Sequence, residues 1–330
     1  MGIGERAMQA WKRLGDVIGR NVAVISPVLV LLAVFFPDFF SVLVRLVPFM
    51  FAIITFQGSL GNDFHNLAEA FRHPLPLLIT LALATLVLPL LAFLLGILMF
   101  GGNPNLVTGI VLEYSVPVAV VSIMWIDMYA GDSSLGLATL LVSTVLSPLS
   151  IPLTLHVLLG ARVEVDALGM VWSMIVQVAL PALAGTALNH VSGGWGKTTL
   201  SPAISPATRM MFCLVILANS TAAAPYLHAL TPQYAAVIAF IGVFTSGGFA
   251  LGLAAARALR QPRDRAVTIG FQSGLRNISA GAVIAAQYFP GEAMLPVIAG
   301  VLFQQVIAAL FGNFIERGWE GAGTHSDAAA

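Results

Sequence analysis

The chain has 330 residues, of which 58% are hydrophobic and 9% charged, and its formal net charge at pH 7 is zero. Soluble globular proteins carry about 25% charged residues, so this composition excludes an ordinary soluble domain and predicts an integral membrane protein. No basic or acidic block is present, which argues against nucleic acid as a partner, and the single cysteine, Cys213, cannot form an internal disulfide.

Apolar runs of about 20 residues, separated by Pro, Gly and charged residues, predict ten transmembrane helices. In chain order these spans one to ten are roughly 22–36, 40–60, 75–100, 107–130, 135–159, 167–189, 205–227, 234–258, 266–288 and 294–315. Residues 61–74, after span two, have the apolar spacing of a short amphipathic helix on the membrane surface. Residues 1–21 are predicted to be a cytosolic leader, because no small-residue cleavage site follows, and residues 318–330 a disordered cytosolic tail.

The distribution of basic residues predicts the orientation of the chain in the membrane. With a cytosolic N-terminus, twelve Lys and Arg residues fall at the inner ends of the spans, and only Arg45 and Arg162 fall at the outer ends. Because cytosolic loops are enriched in Lys and Arg, we expect a multi-pass protein of the cell membrane, of the bacterial inner-membrane type, with both termini in the cytosol.

A weak internal repeat divides the chain into two halves of five spans, 22–160 and 161–317. Under an offset of 160 residues the matches are Val107-Thr108 with Val267-Thr268, Gly131-Asp132 with Gly291-Glu292, and Leu135 with Leu295. Halves with an odd number of spans insert in opposite orientations, which is the inverted repeat of many secondary transporters. Spans four and nine correspond, and each is interrupted by glycine, proline or polar residues, which points to a site near the middle of the membrane.

Span nine carries the densest polar cluster of the chain. Its polar residues are Thr268, Gln272, Ser273, Arg276, Asn277 and Ser279. Such groups must be solvated or paired in hydrocarbon, so we expect them to line a cavity. Arg276 then has two interpretations that the sequence leaves open: it binds the carboxylate or sulfate of a substrate in two-point geometry, or it forms an internal ion pair with Glu113.

Two acidic residues of span four are candidates for ion coupling. Glu113 lies four residues before Pro117, where proline removes a backbone hydrogen bond, and it could load a proton or pair with Arg276. Asp127 lies about three turns past Pro117, toward the cytosol, where an interfacial position is the alternative. Ser115, at the interruption, and Gln304, in span ten, complete the predicted substrate contacts with Arg276, Gln272, Asn277 and Ser273; for Gln304, helix packing is the alternative.

Several short pieces of the sequence carry a family resemblance. They are Pro117 followed by Ser122, Ala130-Gly131-Asp132, the run Ser-Thr-Val-Leu-Ser-Pro at 143–148, and Gly274 with Asn277. Over nearly all ten spans the chain resembles the bile acid:sodium symporter family, within the wider bile acid, arsenite and riboflavin transporter superfamily. The resemblance implies an all-α fold of two inverted five-helix repeats, in which a panel domain (spans one, two, six and seven) packs on a core domain. Broken helices four and nine are expected to cross in that core, beside the substrate.

The chain departs from this family at the sodium-binding residues. Members that use sodium typically show E-x-G-x-Q-N in span nine, where this chain has Q-S-G-L-R-N from Gln272 to Asn277. A rival register that starts at Thr268 lacks the glutamate as well. The resemblance leaves a residual sodium site of Ser122, Thr268 and Gln272. Arg276 would place a fixed positive charge near the sodium position, where two cations repel each other.

These observations predict a secondary transporter that moves a small organic anion by alternating access, with the coupling ion left open between sodium, a proton and none. A metalloid or anion exporter of the same superfamily is one alternative, although no cysteine lies at a broken helix, and a ligand-sensing membrane module without transport is another. The motifs H-E-x-x-H, C-x-x-C, G-x-S-x-G and the P-loop are absent from the sequence, so neither enzymatic activity nor a cofactor is expected. The expected partners are the anion and the lipid bilayer.

Overall fold

The computed structural model describes residues 21–72, 74–160 and 166–323, together with residues 11, 13, 15 and 17–19, and in this part of the chain every regular element is a helix. The helices of the first half are α1 (Val22–Phe35), α2 (Pro37–Ser59), α3 (Phe64–Arg72), α4 (Pro74–Phe100), α5 (Pro104–Ser115), α6 (Ser122–Met128) and α7 (Ser133–Leu159). Those of the second half are α8 (Ala167–Val191), α9 (Gly196–His228), α10 (Pro232–Ala258), α11 (Arg263–Gly274), α12 (Ile278–Tyr288) and α13 (Met294–Gly323).

Seven of the described helices are long and apolar enough to cross a membrane: α2, α4, α7, α8, α9, α10 and α13 with the turn before it. Two shorter apolar helices, Val24–Phe35 within α1 and Ile278–Tyr288, accompany them. Large apolar side chains such as Leu98, Val157 and Val243 are exposed on the outside of the bundle, which in water would be unfavourable. The chain is therefore a multi-pass membrane protein, as its composition predicts.

Helix starts combine an N-cap side chain with a proline at the first helical position. Before α5, the Asn103 side-chain oxygen accepts a hydrogen bond from the Leu106 backbone N–H (3.3 Å), and Pro104 follows directly. Thr231 and Pro232 have the same roles at the start of α10. Because proline lacks an N–H that would be unpaired at this position, the combination starts a helix at little cost and ends the preceding loop at a defined residue.

The helices form two groups that share a buried apolar core. In the first group α9 packs against α1 and α2, and α8 packs against α2. In the second group α10 packs against α11 and α13, α5 packs against α4 and α13, and α7 packs against α6 and α11. We refer to the end of the bundle at which α1 begins as the α1 end, and to the other as the opposite end.

Two chain segments stop being helical in the middle of the second group. After α5, Val116 is extended (φ −69°, ψ 156°), and α6 begins only at Ser122. After α11, Leu275 is extended (φ −98°, ψ 112°), and α12 begins at Ile278. These interruptions lie within predicted spans four and nine, and each leaves backbone N–H and C=O groups without helical partners.

The backbone groups freed at the two interruptions pair with each other. Two hydrogen bonds join the segments: from the Ala119 N–H to the Leu275 carbonyl (3.1 Å), and from the Asn277 N–H to the Pro117 carbonyl (2.9 Å). Val118 and Arg276 face each other between these bonds in an antiparallel bridge. The backbone N–H of Arg276 donates to the Gln304 side-chain oxygen (2.9 Å), and the backbone N–H of Val118 donates to the Ser143 hydroxyl (3.4 Å). The crossing is thus held by hydrogen bonds inside the protein, as a membrane environment requires.

Polar residues tie the helices together at the opposite end. The Glu292 carboxylate, just before α13, accepts hydrogen bonds from the side-chain amides of Asn103 (2.7 Å) and Asn105 (3.1 Å) and from the Tyr234 hydroxyl (2.9 Å). One carboxylate therefore connects the starts of α5, α10 and α13. Charge-assisted bonds of this kind are the stronger class of protein hydrogen bond.

Two further contacts join neighbouring elements at the α1 end. The Asp132 N–H, before α7, donates to the Asp264 carbonyl in α11 (3.1 Å). Asp63, before α3, accepts hydrogen bonds from the His65 backbone N–H (3.0 Å) and pairs with the His190 ring (2.8 Å). The His65 N–H and the His190 ring hold the pKa of the Asp63 carboxyl below its ordinary value, because both favour the ionised form.

The structure differs from the sequence-based boundaries at the C-terminus. Helix α13 continues to Gly323, six residues into the segment 318–330 that was predicted to be a disordered tail. No proline occurs in this stretch, so nothing removes a backbone donor and the helical bonds can continue. Most of the predicted leader 1–21 and the last residues of the tail, 324–330, lie outside the described residues, as does the predicted outer loop with Arg162.

Substitution of Gln304 by Met is expected to lower the thermal stability of the protein. The change keeps the side-chain length but leaves the buried backbone N–H of Arg276 without an acceptor, at a cost of about 1–3 kcal/mol. The apparent melting temperature in detergent measures the effect. Val306→Met, on the exposed side of α13, is the matched control and should leave the melting temperature unchanged; an equal response of the two variants would contradict the assigned bond.

Candidate functional site

A cavity of about 420 Å³ lies between the two helix groups. Its walls come from α1, α2 and α9 on one side, and from the α5–α6 interruption, α12 and α13 on the other. Val22, Gly61 and Ser201 line its mouth at the α1 end, and Arg276 and Asn277 line its floor at the helix crossing. The volume is in the range of small-molecule sites.

Beyond the crossing, the path to the opposite end is closed by apolar packing. Phe51 of α2 lines both the cavity and a neighbouring space of only about 10 Å³. Met174 and Val178 of α8 and Ile284 of α12 also line that space, and all four side chains are buried. These described side chains therefore separate the cavity from the opposite end of the bundle.

A chain of hydrogen bonds links the two helix groups at this closed side. The Ser173 hydroxyl of α8 donates to the Gln287 side-chain oxygen of α12 (3.0 Å), and the Gln177 amide donates to Ser173 (2.5 Å). The Gln287 amide donates back to the Gln177 oxygen (3.4 Å). We refer to Ser173, Gln177 and Gln287 as the closing triad. It joins α8 directly to α12 across the boundary between the groups.

Arg276 is the dominant charge on the cavity floor. Its side chain is only 1% exposed, and none of its three guanidinium nitrogens has a hydrogen-bond partner. Its direct ion pair with Glu113, one of the two interpretations left open by the sequence, is not formed in the described part of the chain. A buried charge without a partner is costly, so the guanidinium is a strong candidate for binding an anion from the cavity.

The two predicted coupling residues lie in different environments. Glu113, in the last turn of α5, is 2% exposed, does not line the cavity, and has an unbonded Oε2. Asp127 is exposed and accepts a hydrogen bond from the Ser133 hydroxyl. The short helix α6 ends at Met128, and this places Asp127 at a helix end on the surface and away from Arg276. Only Glu113 is thus enclosed within the core.

Amide side chains of both helix groups line the same cavity as Arg276, among them Gln304, Asn277 and Asn219. Gln304 lines the cavity while its oxygen accepts the Arg276 N–H, and the Asn277 oxygen caps α12 by accepting the Ala280 N–H (3.3 Å). Asn219, on α9 of the other helix group, is 2% exposed and has neither its oxygen nor its nitrogen bonded. In the sequence Asn219 stands with Ser220 and Thr221 in span seven, with nothing to mark it as a site residue. It is the unsatisfied polar group that the first helix group brings to the cavity.

Three expected substrate contacts do not line the cavity. The Gln272 amide donates to the Gly136 carbonyl of α7 (2.7 Å), and Ser273 packs against Gly252 of α10. Ser115 donates to the carbonyl one turn back in its own helix (2.6 Å). These residues precede the interruptions, where α5 and α11 are enclosed by other core helices, whereas the residues after the interruption of α11 face the cavity. The change of direction at the break decides this difference.

The residual sodium site has few free oxygens. The Thr268 hydroxyl is bonded to the Asp132 carbonyl (3.0 Å) and the Asp264 carbonyl (3.1 Å). Gln272 has a free Oε1 and Ser122 a free hydroxyl, both fully buried. Among the described residues no group of three or more His, Cys, Asp or Glu side chains is placed to hold a metal ion. A hard cation prefers several oxygens that include a carboxylate, and these three neutral side chains fit that requirement poorly.

Two further polar residues, Gln305 and Thr55, line the cavity. Gln305 lines the cavity beside Gln304 and accepts a hydrogen bond from the Trp125 indole (3.0 Å), and Thr55 of α2 is a buried hydroxyl on the opposite wall. Gln305 follows Gln304 in span ten, and Thr55 lies in span two, both mostly apolar segments. Because no periodic pattern marks them, only their place in the fold connects them to the site.

Comparison with known proteins identifies the family. The model of the Sodium Bile acid symporter family matches residues 47–230, more than half of the chain. The chain belongs to this family. The match covers α2 to α9, and thus includes the first interrupted segment and the cavity wall with Asn219.

Relatives of the family share most of the chain. A Bacillus subtilis protein named "Uncharacterized protein YbaS" is 37% identical over 89% of this chain and 96% of its own length. "Uncharacterized sodium-dependent transporter YocS", also from Bacillus subtilis, is 20% identical over 88% of each chain. "Probable sodium/metabolite cotransporter BASS3, chloroplastic" from Arabidopsis thaliana is 24% identical over 77% of this chain and 58% of its own length. Membership in a family of transporters implies transport rather than enzymatic catalysis.

Substitution of Asn219 by Leu is expected to raise the stability of the protein. The change removes a buried amide whose two polar atoms are unbonded and replaces it with a somewhat larger apolar side chain that the neighbouring cavity can accommodate, which is worth about 1–3 kcal/mol. Such unsatisfied groups are typical of functional sites, where stability is exchanged for activity. Thermal unfolding in detergent gives the comparison. Thr245→Val removes one of the two hydrogen-bond partners of the buried Tyr114 hydroxyl (2.9 Å) and leaves the Ile241 carbonyl (3.3 Å) as the other. This variant should shift the melting temperature in the opposite direction, and a fall for both would contradict the assignment.

Proposed function

We propose that this protein is a secondary active transporter of a small organic anion in the cytoplasmic membrane. The observation that carries the proposal is the buried, unbonded guanidinium of Arg276 on the floor of a cavity between two helix groups. Binding an anion from the cavity would give this charge its missing partner. Family membership supports transport as the activity, and the proposed partners are the anion and the surrounding lipid.

The composition of the cavity favours a carboxylate attached to an apolar body. A guanidinium fork can donate two parallel hydrogen bonds to one carboxylate. Phe51, Phe212 and Ile216 provide apolar walls above it, and the free amide of Asn219 offers one more donor from the other helix group. A substrate held by Arg276 and Asn219 would bridge the two groups.

The proposed architecture is two inverted repeats of five membrane crossings, α1–α7 and α8–α13. Each interrupted pair, α5–α6 and α11–α12, would count as one crossing. The antiparallel pairing of the two interruptions supports this arrangement, because corresponding segments of inverted repeats meet in opposite directions. The group of α1, α2, α8 and α9 would be the panel domain, and the remaining crossings the core domain.

Alternating access would use the boundary between these groups. The cavity opens at the α1 end, which the distribution of Lys and Arg predicts to be cytosolic, so the structure corresponds to an inward-facing arrangement. To face outward, α8 and α2 would separate from α12, breaking the closing triad and withdrawing Phe51, Met174 and Val178. Rigid movement of one domain against the other is the usual mode of such carriers.

Substitution of Arg276 by Gln should weaken specific anion binding and lower uptake. Loss of a charge-assisted hydrogen bond costs about 1.5–3 kcal/mol, or roughly 10- to 150-fold in affinity. A thermal-shift screen of C3–C10 monocarboxylates on the purified protein, followed by uptake of the best binder into proteoliposomes, provides the measurement. Arg276→Lys should retain part of the anion binding. Arg45→Gln, which changes a residue remote from the cavity, should retain full anion binding. Unchanged uptake in Arg276→Gln would refute the proposed site.

Cross-linking the closing triad should trap the inward-facing arrangement. In a Cys213→Ser background, cysteines at Ser173 and Gln287 are joined by a short bifunctional methanethiosulfonate reagent. Anion exchange across the membrane should stop, while anion binding to the solubilised protein persists and reduction restores exchange. Each single-cysteine variant treated in the same way is the control. Full exchange by a quantitatively cross-linked sample would show that α8 and α12 do not separate during transport.

A further inference from the structure

The Glu113 carboxyl group is enclosed by the protein without a hydrogen-bond donor at its Oε2. It lies against two glycines: a Cβ added at Gly300 of α13 would be 2.2 Å from Oε1, and one at Gly281 of α12 would be 3.9 Å from Oε2. At Gly300 a side chain would therefore collide with the carboxyl group, whereas at Gly281 it would only make an ordinary contact. An ionised carboxylate in such surroundings requires a counter-charge.

Few charged or titratable groups face Glu113 from the helices packed around it. The guanidinium of Arg276 exerts an electrostatic attraction on it without forming an ion pair, and the phenol of Tyr114, on the same helix, is bonded to Thr245 of α10. Helices α4 and α12 carry no Asp, Glu, Lys, Arg or His, α7 carries only the exposed His156, and α13 has no such residue before Glu316. Glu292, just before α13, is engaged at the opposite end. Arg276 is therefore the available counter-charge.

Arg276 can serve either Glu113 or an anion in the cavity. We infer that Glu113 is the site of the coupling proton: it is protonated while an anion occupies Arg276, and ionised and paired with Arg276 when the anion has left. This inference rests on the proposed function. The arrangement in the structure, with the guanidinium lining the cavity and unbonded, is the one expected for a protonated Glu113.

The charge balance of the site supports this exchange. Before binding, Arg276 and the Glu113 carboxylate sum to zero; after binding, Arg276 and a monoanion sum to zero, and one proton from water has formed an O–H bond on Glu113. The enclosed core therefore carries no net charge in either state, which a low-dielectric interior strongly favours. The cycle moves one proton with each monoanion and needs no sodium ion, because the fixed guanidinium supplies the positive charge.

Calorimetry on the full-length protein tests the inference. C3–C8 monocarboxylates, from pyruvate to octanoate, are titrated in sodium-free buffers of different ionisation enthalpy. At pH values at which Glu113 is ionised in the free protein, the wild type should take up about one proton for each anion bound. In that range the affinity for the anion should fall about tenfold for each unit by which the pH is raised. Glu113→Gln should still bind, with no proton uptake and no such pH dependence. In proteoliposomes an inward acid gradient should drive uptake by the wild type only.

Gly300→Ala provides a second variant if Glu113→Gln does not fold. Its methyl group would occupy the position of Glu113 Oε1, so the carboxyl must move, and the pH dependence of anion binding should shift. Gly247→Ala, whose Cβ would meet nothing within 4 Å, is the control and should behave as the wild type.

The outcomes separate the two proposals. Anion binding that depends on Arg276 but takes up no proton, or that requires sodium, would overturn the role of Glu113 and leave the proposed function standing. Proton uptake that persists in Glu113→Gln would also overturn it. If no monocarboxylate of the series binds or is transported, the proposed function fails, and the coupling inference fails with it.

Discussion

The backbone hydrogen bonds between residues 117–119 and 275–277 allow two helices to stop and restart inside an apolar bundle. In hydrocarbon an unpaired N–H or C=O group is too costly to persist, so an interruption is possible only where other parts of the protein supply partners. Here each interruption supplies partners for the other, and Gln304 and Ser143 satisfy the remaining donors. Because the crossing is fixed in this way, Arg276 is held at the floor of the cavity.

Hydrogen bonding is distributed unevenly through the bundle. At the opposite end Glu292 accepts three hydrogen bonds, and at the α1 end Asp132 and Thr268 are bonded across helices. Around the crossing, by contrast, buried polar atoms of Asn219 and Arg276 have no partner. Hydrogen bonds at both ends therefore stabilise a fold that leaves Asn219 and Arg276 unsatisfied beside the cavity, which is the arrangement expected where a ligand must bind and leave.

The fixed guanidinium changes the electrostatics of this family member. On the cavity floor of this protein a positive charge is part of the chain itself. A permanent cation needs a compensating anion in every state of the cycle. Glu113, enclosed beside Gly300 and within the electrostatic reach of Arg276, is the residue that can provide it when the cavity is empty.

The sequence by itself determined the membrane class and the polar character of residues 268–277, because both depend on local hydrophobicity. It also determined the interruption after Ser115, because that depends on the position of a proline. Which polar side chains face the cavity was decided only by the tertiary structure. Gln272 and Arg276 are four residues apart, yet the break between them turns one toward α7 and the other toward the cavity. Asn219 reaches the same cavity from a distant helix, and no local pattern records that proximity.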